Sequence, residues 1–123
     1  MATILIIDDD EATRGTIALL LANAGHEVME AGDGKAGIEC YRTHAYDLVF
    51  TDMIMPEMEG LEVIAEIRRL NPRARLVAMS GGAAVSPQAY LRLAGHLGAD
   101  RTLLKPFTAA RLFATVAELL PVN

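Results

Sequence analysis

Short apolar runs alternate with helix-period segments five times along the 123 residues, and no other feature restricts the fold as strongly. Such alternation is the pattern of an α/β protein with a parallel sheet and helices on both faces. The first strand is read at residues 3–7. A helix over about 11–24 follows, with Ile17, Leu20, Leu21 and Ala24 on one face and Gly25 as its C-terminal cap. Residues 27–31 read as the second strand, 34–43 as a helix with Ile38 and Tyr41 inward, and 47–51 as the third strand. The third helix, about 60–70, uses Leu61, Ile64 and Ile67 and stops before Pro72. The fourth strand is 75–79, and Ser86 and Pro87 supply the N-cap and first-turn proline of a helix over about 87–97 that Gly98 ends. The fifth strand is 102–104, and Thr108 caps the last helix, about 109–120.

The strands differ in a way that sets their order. Strands one, three and four are continuously apolar, as befits strands covered on both faces, whereas the second (His26-Glu27-Val28-Met29-Glu30) alternates and the fifth is short and flanked by Arg101. With right-handed crossovers the order 2-1-3-4-5 puts the interrupted strands at the edges. It also sets the ends of strands one and three side by side at the switch point, where open α/β sheets bind their ligands.

Acids concentrate at that point. Asp8-Asp9-Asp10-Glu11 follow the first strand and Asp52 follows the third, so Asp8, Asp9 and Asp52 converge. Like charges about 5 Å apart repel by roughly 3 kcal/mol at an effective dielectric near 20, and such a cluster calls for a divalent cation. The chain has 16 acidic and 11 basic residues; without these five acids the two counts are equal, so the net charge of −5 is local. No basic face for nucleic acid is expected. The sequence shows no secretory leader and no apolar run near the roughly 20 residues of a membrane span. The single cysteine, Cys40, permits no internal disulfide and agrees with a cytoplasmic setting. A single domain over 1–123 is expected, with no output domain attached.

The fourth strand ends in Ser80-Gly81-Gly82 and the fifth in Lys105-Pro106-Phe107, bringing a hydroxyl and an ammonium to the same sheet edge. At this point the chain resembles the receiver domains of two-component response regulators, the CheY-like family with a flavodoxin-like fold. The resemblance spans essentially the whole chain. It rests on Ile6-Ile7-Asp8-Asp9-Asp10, on the run from Thr51-Asp52-Met53 to Gly60, on Met79-Ser80-Gly81, and on Leu104-Lys105-Pro106-Phe107, each at a strand end and in order. It implies that Asp52 is the phosphoacceptor and that Asp8, Asp9 and Asp52 hold Mg²⁺ with the backbone carbonyl of Ile54. It further implies that Ser80 is the switch hydroxyl, that Lys105 binds phosphate, and that a cis peptide precedes Pro106.

The chemistry asks for these residue types. An ionised carboxylate can attack phosphorus in line, and the barrier falls mainly through positioning and neutralisation of the equatorial oxygens. Mg²⁺ favours octahedral oxygen ligands, usually one or two carboxylates plus substrate phosphate, which suits Asp9 and Asp52 directly and Asp8 through a water. The implied partners are a histidine kinase or histidine phosphotransfer protein as donor, and a downstream protein reading the helix-four, strand-five, helix-five face. Such a chain is a signalling phosphoacceptor that catalyses only its own phosphorylation and dephosphorylation.

Some positions depart from the family pattern. Thr102 stands where many receivers carry an aromatic residue coupled to the switch hydroxyl, and the stretch from Ser80 to Lys105 is about three residues long for the family, with a mobile loop expected over 81–85. Ile54 and Gly82 replace polar groups that orient attacking water, which predicts a long-lived aspartyl phosphate. Met53, Met55 and Met58 are expected to pack, because thioethers suit hard-carboxylate sites poorly; His26, His44 and His96 are read as surface residues. A haloacid-dehalogenase-type phosphatase would want an acid where Ile54 stands, and an FMN carrier would want a phosphate cradle where the acids are. The alternative of weight is a phosphorylation-independent interaction module of the same fold.

Overall fold

The computed structural model describes residues 2–81 and 86–120. Its strands are β1 (Thr3–Ile7), β2 (Glu27–Ala31), β3 (Leu48–Asp52), β4 (Leu76–Ser80) and β5 (Arg101–Leu104). They pair in parallel in the order β2-β1-β3-β4-β5, as the apolar patterning predicts. The helices are α1 (Glu11–Asn23), α2 (Gly34–Thr43), α3 (Gly60–Leu70), α4 (Pro87–Leu97) and α5 (Ala109–Leu119). Every residue of β3 and β4 is buried, whereas Ala31 alone is buried in β2, so the polar-interrupted strand does lie at an edge.

Side chains of successive strand residues point to opposite faces, and this splits the apolar set into two cores. Leu5, Ile7, Val49, Leu76 and Ala78 pack with Ile38 of α2 and with Val63, Ile64 and Ile67 of α3. Ile4, Ile6, Phe50, Val77 and Met79 pack with Ile17 and Leu21 of α1 and with Leu112 and Val116 of α5. Each such side chain taken out of water contributes roughly 1.5–3 kcal/mol before chain entropy is counted. Met53 and Met55 are core residues and Met58 packs partly against them, as expected.

Several boundaries move, and the shifts matter for the site. β3 and β4 each run one residue beyond the apolar stretch, because Asp52 pairs with Met79 and Ser80 with Leu104 in the ladder. The two polar residues are therefore held by sheet hydrogen bonding. β5 begins at Arg101, paired with Val77. Ala24, expected on the packed face of α1, is its exposed C-cap; Ala18 is buried in its stead. His26 is half-buried and its Nδ1 accepts a hydrogen bond from the Ala2 amide at 3.1 Å, so it is no plain surface residue. His44 and His96 are exposed.

Side chains cap three helices: Asp10 for α1, Asp33 for α2 and Thr108 for α5. Ser86 takes the N-cap position of α4 ahead of Pro87, but its hydroxyl makes no cap bond. Gly98, at φ 113°, ends α4 in the left-handed region that glycine tolerates. Gly82–Val85, most of the loop expected to be mobile, fall outside the described residues, as do positions 121–123. Among the described residues no helix is long and apolar enough to cross a membrane.

Candidate functional site

The acid run after β1 divides its labour. The Asp8 amide donates to Ala31 O at 3.1 Å, which prolongs the β1–β2 ladder and fixes the residue, and its side chain is fully buried. Asp8 Oδ1 accepts from the Asp10 amide at 3.0 Å, and Oδ2 accepts from Lys105 Nζ at 2.7 Å. Asp9 is exposed at the mouth. Asp10 turns outward to cap α1, taking bonds from the Ala12 amide and the Thr13 hydroxyl; the Thr13 bond is the foremost cause holding its carboxyl below the ordinary value. Two acids of the run thus face the cleft and a third holds the helix that follows.

Asp52, 8% exposed, ends β3, and the neighbouring Met53 amide still bonds to Met79 O at 3.0 Å. Its Oδ1 lies 2.9 Å from Lys105 Nζ. Two glycines make this arrangement possible. A Cβ on Gly60 would sit 2.2 Å from Asp52 O and 2.7 Å from Met53 Cα, so only glycine lets α3 begin against the end of β3. A Cβ on Gly81 would sit 2.7 Å from both Cβ and O of Lys105, so Gly81 lets the lysine approach. The Lys105 amide donates to Ser80 O at 2.8 Å, and the Lys105–Pro106 peptide is cis, as the resemblance implies.

One ammonium thus bridges two carboxylates, with a third close by: a side-chain oxygen from each of Asp8, Asp9 and Asp52 lies within 4.8 Å of the others. Burial pushes the Asp52 carboxyl above its ordinary value; the hydrogen bond and charge of Lys105 oppose this, and the charges of Asp8 and Asp9 add to it. Burial disfavours the charged form of Lys105, but the hydrogen bonds to Asp8 and Asp52 together with the charges of those two carboxylates outweigh it and leave its pKa raised. Three ionised carboxylates against one ammonium leave two negative charges, which one divalent cation would balance. The donors are hard oxygens, the set that suits Mg²⁺ or Ca²⁺ and not a soft metal. The residues present therefore fit a magnesium site.

These groups share a cavity of about 730 Å³ in which Asp8, Asp9, Asp52, Ile54 and Lys105 form one end, while α1 and the segment after β5 form the walls, with Ile17, Leu20 and Phe107 among them. Ser80 does not line it, although the next residue, Gly81, does. The Ser80 hydroxyl is buried and has no hydrogen-bond partner among the described residues, a deficit that typically costs about 1–3 kcal/mol and leaves it ready for an acceptor. Sequence reasoning missed Arg14. Its Nη1 donates to Asp8 O at 2.9 Å while its Nε pairs with Glu30 at 3.1 Å, so α1 braces the turn that carries Asp8 and Asp9. The signal was its position four residues beyond the Asp10 cap, one turn along α1.

With that geometry established, residues 4–117 match the model of the response regulator receiver domain family. The chain belongs to that family. It is 36% identical over 118 residues to the chemotaxis protein CheY of Bacillus subtilis, covering 95% of this chain and 96% of that one. It is 34% identical over 122 residues to the DNA-binding transcriptional regulator NtrC of Azospirillum brasilense, covering 99% of this chain but 25% of that protein. Among solved structures it is similar to response regulator protein TrrA of Thermotoga maritima in complex with Mg(2+)-BeF. That match has a TM-score of 0.86, with 30% identity and coverage of 98% of this chain and all of that one. Receiver domains are signalling domains of two-component systems, acting between histidine kinases and downstream effectors.

Proposed function

We propose that this receiver accepts a phosphoryl group on Asp52 from a phosphohistidine donor, with Mg²⁺ held by Asp8, Asp9, Asp52 and the backbone carbonyl of Ile54. The observation that carries the reading is the buried Asp52 carboxylate, bonded to Lys105 and with carboxylate oxygens of Asp8 and Asp9 within 4.8 Å. The TrrA structure with Mg(2+)-BeF supports it by likeness. When bound, the cation offsets negative charge that gathers between the incoming phosphoryl oxygens and the carboxylates.

The remaining steps fall to the chain's own side chains. Asp52 supplies the attacking oxygen; its bond to phosphorus forms as the bond from the donor histidine nitrogen breaks, and an acyl phosphate remains on Asp52. Lys105, already 2.9 Å from Asp52 Oδ1, is in reach of an oxygen carried by that carboxylate and contributes a compact positive charge. Asp8 holds Lys105 from the other side at 2.7 Å. The unpartnered Ser80 hydroxyl gains an acceptor once phosphoryl oxygens are present, and its movement biases the α4, β5 and α5 surface that a downstream protein reads. Ile54 puts an apolar side chain at the cavity, where a polar one would orient water for hydrolysis, so the aspartyl phosphate is long-lived. We place the protein in the cytoplasm, where the donor kinases present their phosphohistidines.

Intact-mass analysis after incubation with a small acyl phosphate tests this. One added phosphoryl group is expected with Mg²⁺, little without it, and none in Asp52→Asn. Full labelling of Asp52→Asn, or labelling indifferent to Mg²⁺, would overturn the assignment; no labelling under any condition would favour a phosphorylation-independent interaction module.

A further inference from the structure

Of the three acids that face one another across the cleft, Asp8 and Asp52 are held by their side chains and Asp9 is not. Lys105 bonds to Asp8 at 2.7 Å and to Asp52 at 2.9 Å, and the Asp10 amide donates to the other oxygen of Asp8. Among the described residues Asp9 receives no such bond, and it stands exposed at the mouth of the cavity. Its carboxylate is therefore aimed by its backbone. The Asp8–Asp9 peptide is planar, so whatever holds the Asp8 carbonyl also fixes the direction in which the chain leaves toward the Asp9 Cα.

Arg14 is the residue that holds it. Its Nη1 donates to the Asp8 carbonyl at 2.9 Å and its Nε to Glu30 Oε1 at 3.1 Å. The side chain is only 17% exposed, and Gly32 passes close to it, since a Cβ there would sit 3.4 Å from Nη1. The base of the side chain is firm as well: the Arg14 amide donates to Asp10 O at 2.9 Å, in the first turn of the helix that Asp10 caps. One guanidinium thus spans α1, the end of β2 and the turn after β1. Its donors lie in a fixed plane, and the two bonds together set its orientation. The Asp8 amide is tied to Ala31 O at 3.1 Å, so the acid turn is pinned to β2 through both its amide and, by way of Arg14, its carbonyl.

We propose that Arg14 and Glu30 are positioning residues for the metal site: Glu30 orients Arg14, Arg14 sets the peptide that aims Asp9, and the pair thereby raises the affinity for Mg²⁺. The inference rests on the reading of Asp8, Asp9 and Asp52 as Mg²⁺ ligands and names the part of the chain that readies Asp9 for that role. Its sign separates it from plain electrostatics. Arg14 is a positive charge beside a site for a cation, so by charge alone its removal tightens Mg²⁺ binding, whereas loss of aim weakens it.

The test is an NMR titration of the labelled protein with MgCl₂ alone, followed at the amides of residues 8–10 and 52–54. It is paired with the rate of phosphoryl uptake from a small acyl phosphate at limiting and at saturating Mg²⁺. In Arg14→Ala the Mg²⁺ Kd is expected to rise at least about tenfold, the usual scale when a group that orients a metal ligand is removed. Arg14→Lys keeps the charge but cannot serve the carbonyl and Glu30 together, and is expected to bind Mg²⁺ nearly as weakly as Arg14→Ala. Glu30→Ala, at a side chain 42% exposed, leaves the fold and Arg14 in place and is expected to raise the Kd by a smaller factor, about threefold. Uptake by each variant falls at limiting Mg²⁺ and returns to within about twofold of the wild type at saturation, the pattern of lost binding and not of lost rate. An unchanged or lowered Kd in the folded variants, wild-type affinity in Arg14→Lys, or an uptake deficit that saturating Mg²⁺ leaves untouched would overturn it. A wild-type protein that binds no Mg²⁺ would strike the metal reading and this inference together, whereas variants that match a wild type that does bind would strike this inference alone.

Discussion

Replacing Lys105 with methionine keeps the length of the side chain and removes its charge. The wild-type ammonium lies 2.7 Å from Asp8 and 2.9 Å from Asp52, both carboxylates buried. Without it, two carboxylates at the 4.8 Å limit of their separation repel by about 3.5 kcal/mol at an effective dielectric near 20. Asp9 adds a third charge, while uptake of a proton by Asp52 relieves part of the total. Breaking a buried pair by removing one partner typically costs about 3–5 kcal/mol, so a net loss near 3 kcal/mol is expected. For a chain of this size that is a fall in Tm of about 10 °C. The assay is urea unfolding in a chelator at low ionic strength, repeated with excess Mg²⁺. A cation at a hundredfold over its Kd adds about 2.7 kcal/mol, and Lys105→Met, with an emptier and more negative cleft, recovers more than the wild type. A loss under about 1 kcal/mol in chelator, or equal gains from Mg²⁺ in both proteins, would refute the claim that Lys105 and a divalent cation neutralise one cluster.

Asp52→Asn gives the opposite effect when divalent ions are absent. The Asp52 carboxyl is raised above its ordinary value, foremost by burial, so between those two pH values the folded chain holds a proton that the unfolded chain has released. The contribution of this group to stability therefore falls as pH rises through that window, and Asp52→Asn, which cannot ionise, is the more stable protein at neutral pH; urea midpoints across pH check it. Gly60→Ala forces a Cβ into Asp52 O and is expected to lose about 1–3 kcal/mol together with much of the labelling at Asp52. Gly15→Ala, in the middle of α1 with nothing within 4 Å of the added carbon, gains about 0.5–1 kcal/mol and leaves labelling unchanged.

The sheet was legible because its signal is periodic and redundant. The contrast between β3, buried at every position, and β2, buried at one, is written in Leu48-Val49-Phe50 against Glu27-Val28-Met29-Glu30. Asp8, Asp9, Asp52 and Lys105 were legible because strand order alone carries strand ends to one crevice, and the structure does gather them with Ile54. What remained hidden depends on three-dimensional choices between equivalent groups. Nothing in four consecutive acids says that Asp10 turns away to cap α1 or that Arg14 reaches back to the Asp8 carbonyl. Apolar patterning also stops short of β3 and β4, because Asp52 and Ser80 join the ladder through backbone bonds that take no account of side-chain polarity. Ser86 shows the converse: the right residue type at the N-cap position, whose hydroxyl nonetheless makes no cap bond.

The account stands most directly on where the phosphoryl group goes. Borohydride reduction of the phosphorylated protein converts an aspartyl phosphate to homoserine, and peptide mass mapping then locates it. Homoserine at position 52 alone, formed in the presence of Mg²⁺, is the predicted result; homoserine at position 8 or 9, or at no aspartate of a protein that has taken up phosphate, would contradict it.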